Sequence, residues 1–212
     1  MSLAIIIPAL NEEKTIAAVV RSVWSHGTPV VIDDGSTDAT AKAAQKAGAV
    51  LLSHAVTRGY DFSIGTGMKY AENNGFCFAV TMDADGQHNE KYLGVFKSHL
   101  ENGASLVLGV RNQQPRIAER IFSWWTFFRW GIIDPLSGMK AYRMSLYRDR
   151  GYFDRYDSIG TELTIYAARR HYPFQQVPIS IIPRSDRPRF GNNVIVNYRI
   201  LRSMFLSFFM RL

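Results

Sequence analysis

Short apolar runs alternate with amphipathic stretches along the first half of the chain. Leu3-Ala4-Ile5-Ile6-Ile7, Pro29–Ile32, Ala49–Leu52, Phe76–Met82 and Ser105–Val110 are continuous apolar runs. Strands covered on both faces of a parallel sheet read this way. Between them, Ile16, Val19, Val20 and Val23 recur at helical spacing, as do Tyr92, Leu93, Phe96 and Leu100. Ala39–Ala47 reads as a helix stopped by Gly48, and the Arg58–Gly67 stretch precedes another predicted helix that runs to about Asn74. Asn11 and Asn89 are placed to cap the helices that follow them, and Glu12 and Glu13 suit a first turn. Strand–helix–strand order implies right-handed crossovers, hence an α/β fold with a mostly parallel central sheet flanked by helices.

The second half is less regular. Ile117–Ile133 reads as a helix holding three of the four tryptophans beside Arg116, Arg120 and Arg129. A short helix is predicted at Ser145–Arg150 and a longer one at Ser158–Arg170. In the latter, Glu162 faces inward and needs a partner, most simply an arginine. Phe174–Ile182 reads as an edge strand because Pro178 cannot donate to a ladder. Val194–Leu212 is a basic amphipathic helix, suited to lying on anionic lipid. The predicted division is a domain over 1–191 and a terminal helix over 192–212.

Composition narrows the setting. The 212 residues carry a net charge of +7. That balance fits nucleic acid, a membrane surface or phosphorylated small molecules. The single cysteine, Cys77, lies in an apolar run, so a disulfide framework is excluded and a reduced cytoplasmic setting fits. Cys77 is expected to be a small core residue. No signal peptide is visible, and no apolar stretch reads as a transmembrane helix.

The candidate chemistry centres on Met82-Asp83-Ala84-Asp85-Gly86-Gln87-His88. On an extended chain Asp83 and Asp85 face the same side, where two hard oxygen donors suit Mg²⁺ or Mn²⁺. An acidic turn closing a strand fits the same residues. Asn11, Glu12, Asp33 and Asp34 follow the first two strands, at the edge where open α/β sheets bind ligands. They suit the base and ribose of a nucleotide, or serve only as caps and turn formers. Neither Gly-x-Gly-x-x-Gly nor a Walker A loop is present, which argues against a dinucleotide or P-loop site. Arg111 ends a strand at that edge, where a lone arginine is either a surface residue or suited to a phosphate. Arg184, Arg187 and Arg189 make a basic loop, either able to fold over a diphosphate or simply solvated. The Trp124, Trp125, Phe127, Phe128 and Trp130 cluster suits a membrane interface or a homodimer contact.

The order Ile-Pro-Ala-Leu-Asn-Glu, Asp-Asp-Gly-Ser-Thr-Asp, Met-Asp-Ala-Asp-Gly-Gln-His and Gly-Val-Arg resembles the inverting family 2 glycosyltransferases of GT-A fold. Asp134–Arg143, Val177-Pro178-Ile179, Arg184 and Arg189-Phe190-Gly191 make it similar to the dolichol-phosphate mannose synthase and polyprenyl-phosphate glycosyltransferase branch. The resemblance implies a nucleotide-binding, Rossmann-like N-terminal half and transfer of a sugar from a GDP- or UDP-linked donor to a lipid phosphate. Donor contacts would come from Pro8, Ala9, Asn11, Glu12, Asp33, Asp34, Asp83, Ala84, Asp85, Arg111 and Ser137. Asp83, Asp85 and Gln87 would hold Mg²⁺ or Mn²⁺, and Asp134, Arg184 and Arg189 would act at the reacting centre. The expected location is the inner face of the membrane, with no nucleic-acid partner. Two departures stand out: Arg58-Gly59-Tyr60-Asp61 where relatives often have Arg-Gly-Lys-Gly, and Met139-Lys140 where Phe or Tyr followed by Arg is usual. Two alternatives remain: a family 2 enzyme with a soluble or polysaccharide hydroxyl acceptor, with Asp134 or Glu162 as candidate base, and a non-catalytic membrane-surface module of the same fold.

Overall fold

A computed structural model describes residues 1–182 and 193–208. In chain order the elements are β1 (Leu3–Ala9), α1 (Ile16–Val23), β2 (Thr28–Asp33), α2 (Thr40–Lys46), β3 (Val50–Ser53), α3 (Tyr60–Asn73), β4 (Phe78–Thr81) and α4 (Lys91–Glu101). There follow β5 (Leu106–Arg111), α5 (Ile117–Trp130), β6 (Lys140–Arg143), α6 (Met144–Arg150), α7 (Glu162–Arg169), β7 (Phe174–Ile179) and α8 (Asn193–Phe208). The seven strands form one sheet in the order β3-β2-β1-β4-β6-β5-β7. All pairings are parallel except those of β6, which runs antiparallel between β4 and β5.

The continuous apolar strands are buried on both faces, as their sequences require. Ala4 and Ile6 of β1 point into one core with residues of α3, α5, α6, α7 and α8. Leu3, Ile5, Ile7 and Ala9 point into the other, with α1 and α4. Gly67 lets α3 lie directly on the sheet: a Cβ there would come within 2.5 Å of Ile6 Cγ2 and 2.9 Å of Ile32 Cδ1.

Several local expectations are corrected. Cys77 is exposed, because β4 begins only at Phe78. Asn11 does not cap α1: its backbone is left-handed (φ 54°) and the helix starts at Ile16. Asn89 does accept the Lys91 N–H through Oδ1 at 3.0 Å, from two residues ahead of the start of α4. The segment 158–161 is loop, so the helix expected from Ser158 is only α7. β7 lies at the sheet edge as Pro178 demands, but ends at Ile179. β6 has no counterpart in the sequence reading, because Lys140–Arg143 is too short and too polar to register as an apolar run. Glu162 is fully buried and accepts from Arg150 Nη2 at 2.9 Å and from the Arg155 N–H at 2.7 Å, which supplies the arginine partner expected for it. Helix α8 sends Val196 and Ile200 into the core shared with α5.

Candidate functional site

The carboxyl ends of β1, β2, β4 and β5 share one edge of the sheet, and antiparallel β6 starts there. Register puts Ala9 beside Asp33 and Thr81 beside Lys140. The loops after β1 and β2 are stitched together. Asn11 donates its N–H to Ser36 Oγ at 2.9 Å and accepts the Thr37 N–H through Oδ1 at 2.8 Å. Glu12 donates its N–H to Thr40 Oγ1 at 2.7 Å, and Glu13 Oε2 accepts the Ala39 N–H at 3.0 Å. Pro8 pairs with Ile32, and Asp33 is buried. Asp34, also buried, is the anchor of the next loop. Its carboxylate accepts the Arg58 N–H at 2.9 Å and the Gly59 N–H at 2.8 Å, and lies 2.7 Å from His54 Nδ1. Asp34→Ala leaves two backbone donors unsatisfied and is expected to cost about 1–3 kcal/mol in urea unfolding. An unchanged midpoint would mean that water replaces the carboxylate.

The acidic motif lies on a turn. β4 stops at Thr81, so strand alternation does not aim Asp83 and Asp85; the turn does. Gly86 takes a left-handed conformation (φ 78°) and Asp85 Oδ1 accepts the Gln87 N–H at 3.0 Å. Ala84 is buried, and its carbonyl accepts Thr15 Oγ1 at 2.8 Å, which ties the turn to α1. Asp83 is held on several sides. Its N–H donates to His88 Nδ1 at 3.2 Å, and Tyr60 donates its hydroxyl to Oδ1 at 3.4 Å. Gly138 has no room for a side chain, since a Cβ would stand 2.6 Å from Asp83 Oδ2. Ser137 Oγ is buried beside this contact without a hydrogen-bond partner. Gln87 Nε2 donates to the Ile182 carbonyl at 3.0 Å, where the chain leaves the described residues. Arg184 and Arg189 lie outside those residues.

Among the described residues no group of three or more His, Cys, Asp or Glu is arranged to hold a metal by itself. Two carboxylates do suit Mg²⁺, which is commonly held by one or two carboxylates together with substrate phosphates. The donor set of this turn therefore fits a divalent ion that arrives with a diphosphate.

Arg111 is neither a lone surface arginine nor uncommitted. It grips Asp134 through Nε (2.8 Å) and Nη2 (2.9 Å), and Nη2 also reaches Glu119 Oε2 at 3.2 Å. Asp134 is fully buried, and Arg116 closes the group by donating to Glu119 Oε1 at 2.7 Å. Lys140 stands across from Leu108 of β5, the strand that ends in Arg111. It is buried, its ammonium donates to the Gly160 carbonyl at 2.6 Å, and burial lowers its pKa to about 8. Asp61 accepts the Ile159 N–H at 2.8 Å. Its pKa rises to about 7, first because it is buried and then because Asp154 is near. His88, the last residue of the acidic motif, thus acts within the site, and Tyr60 and Lys140 join it at the two positions where the sequence departs from the family pattern.

The raised Asp61 pKa carries a sign. The folded protein favours the protonated carboxyl, so stability from this group is present below the ordinary carboxylate pKa. It is lost as pH rises through about 7. The melting-temperature difference between Asp61→Asn and the parent should therefore be more positive at pH 8 than at pH 5. Equal differences at both pH values would place the titration elsewhere.

The sheet, parallel except at β6 and flanked by helices, has the architecture of the GT-A glycosyltransferases. The match to the Glycosyl transferase family 2 model over residues 4–177 makes the family plain: the chain belongs to it, and is a glycosyltransferase. It is 27% identical to the UDP-N-acetylglucosamine–dolichyl-phosphate N-acetylglucosaminyltransferase of Methanococcus voltae, covering 92% of each chain. It is 28% identical to the polyprenol monophosphomannose synthase of Mycolicibacterium smegmatis, covering 85% of this chain and 77% of that one. In fold it matches glucosyl-3-phosphoglycerate synthase from Mycobacterium tuberculosis, crystallised with Mg²⁺ and uridine diphosphate. There the TM-score is 0.79 at 19% identity, covering 99% of this chain and 80% of that one.

Proposed function

We propose that this chain transfers a sugar, with inversion, from a nucleotide-diphosphate donor to a polyprenyl or dolichyl phosphate at a membrane surface. The observation that carries the reading is the acidic turn packed against Gly138, beside Arg111 and at the edge where β1 and β2 also end. Asn11, Glu12 and Asp33, with Pro8 and Ala9 behind them, would bound the base and ribose. Asp34 would act there by holding the 54–59 loop. Asp83 and Asp85, with Gln87 beside them, would hold Mg²⁺ or Mn²⁺, which neutralises charge developing on the leaving diphosphate. Ala84 would fix the turn, and Ser137 Oγ, buried and without a partner, would meet a substrate oxygen. Arg184 and Arg189 would supply further positive charge. A phosphate acceptor is already anionic, so no strong general base is required. Asp134, gripped by Arg111, fits the role of positioning that guanidinium. The names of the Methanococcus and Mycolicibacterium relatives support a lipid phosphate as acceptor.

The surface supports the membrane part. On α5, Trp124 and Phe128 are 65% and 69% exposed, whereas Trp125 and Trp130 pack against the core and each other. On α8, which packs on α5, Tyr198 and Phe205 are 68% and 59% exposed beside Arg199 and Arg202. Exposed apolar groups of this extent mark an interaction surface. Arginines would add about 1 kcal/mol each near anionic lipid. No described helix is long and apolar enough to cross a membrane. Flotation with anionic vesicles should carry the protein upward at low salt. Binding should weaken at high salt and in a Trp124→Ser/Phe128→Ser variant. A stable dimer that ignores vesicles would turn the same surface into a subunit contact and favour a soluble acceptor.

A further inference from the structure

Asp83 is confined by three neighbours and open on the rest of its surface. Its own N–H donates to Nδ1 of the buried His88 at 3.2 Å, which pins the backbone at this residue. Gly138 comes so close that a Cβ there would stand 3.0 Å from Oδ1 and 3.1 Å from Cγ. The Tyr60 hydroxyl donates to Oδ1 at 3.4 Å. The Asp83 side chain still keeps 36% of its surface exposed, so a ligand from solvent can reach it.

Tyr60 is itself fixed by the end of β2. It is the first residue of α3, and Asp34 accepts the two N–H groups just ahead of it, from Arg58 at 2.9 Å and Gly59 at 2.8 Å. His54 ties the same carboxylate to α3, with Nδ1 2.7 Å from Asp34 Oδ1 and Nε2 3.0 Å from Thr66 Oγ1. The tyrosine ring packs against the core, and the hydroxyl is the part that reaches Asp83.

A hydroxyl orients a carboxylate without neutralising it. At 3.4 Å it guides Oδ1 rather than gripping it. The charge of Asp83 therefore stays available to a cation, whereas the lysine that relatives often carry at this position would cancel it. Ligating carboxylates are themselves hydrogen-bonded, and loss of such a partner costs about 10–100-fold in metal affinity or activity. We propose that Tyr60 is a positioning residue for the divalent ion: its hydroxyl holds Asp83 Oδ1 so that the carboxylate meets the metal arriving with the donor diphosphate. The proposal rests on the metal-assisted transfer reading above.

The test is calorimetry on the full chain with UDP and with GDP, each in chelator and at one fixed Mn²⁺ concentration. The ratio of the two dissociation constants is the gain that the metal brings. In Tyr60→Phe the ring still fills its place, so the melting temperature and the affinity in chelator should match the parent. The gain should fall about tenfold. Tyr60→Lys should reduce the gain further, because an ammonium at Asp83 competes with the metal for the same charge. A parental gain in Tyr60→Phe, whether or not the affinities themselves fall, would overturn the proposal and leave the metal reading intact. A parent chain to which Mn²⁺ brings no gain with either nucleotide would refute the metal reading, and the proposal with it.

Discussion

Asp85→Asn should lower turnover by about 10²–10³-fold, the usual scale for removing one group that stabilises developing charge. The melting temperature should hardly change. The side chain sits on a surface turn, where Oδ1 accepts the Gln87 N–H, and an asparagine oxygen can do the same. Departure of a nucleoside diphosphate concentrates negative charge on the leaving oxygens. A turn that already gathers two carboxylates can oppose that charge only by carrying a cation with it. The expected companion result is that chelator removes activity and either Mg²⁺ or Mn²⁺ restores it. Full turnover in excess chelator would leave Asp83 and Asp85 as a strand-ending turn and nothing more.

Arg111→Met carries the largest expected effect on stability. Its guanidinium serves two carboxylates, Asp134 and Glu119, that are almost wholly buried. Methionine fills similar space but leaves Asp134 with only the backbone N–H of residue 111, at 3.1 Å, among the hydrogen bonds described. Breaking a buried pair in this way costs about 3–5 kcal/mol. Arg111→Lys should recover only part, because an ammonium cannot match the two-point grip on Asp134. A loss below about 1 kcal/mol in urea unfolding would mean that the pair is solvated like a surface bridge. In that case Arg111 would be free to serve a phosphate in the way first expected of a strand-end arginine.

The sheet was legible because its strands are short apolar runs between helix-spaced residues, a pattern that burial on both faces imposes. The edge where β1 and β2 end was legible for the same reason. Residues whose placement depends on chain crossing were not. β6 carries little apolar signal, yet it sets Lys140 opposite Thr81 and brings Gly138 against Asp83. Nothing local in Met139-Lys140 says that the lysine will be buried. Strand alternation does not orient Asp83 and Asp85, since β4 stops at Thr81 and the turn through Gly86 sets their direction. In the aromatic helix, composition could not separate Trp124, which faces out, from Trp125, which packs inward; helix phase relative to the core decides that. Asp34 was a candidate ribose ligand by position, and its grip on the 58–59 backbone became visible only with the β3–α3 loop in place.

The most direct measurement is transfer itself. The purified chain is incubated with Mg²⁺ or Mn²⁺, vesicles containing a polyprenyl phosphate, and a panel of UDP- and GDP-sugars labelled in the sugar. Label is then followed into the organic extract. The account predicts organic-phase label from one donor, dependent on both the divalent ion and the polyprenyl phosphate, and lost in Asp85→Asn. Label that remains in the aqueous phase on a hydroxyl acceptor, with nucleotide release indifferent to the lipid, would contradict it.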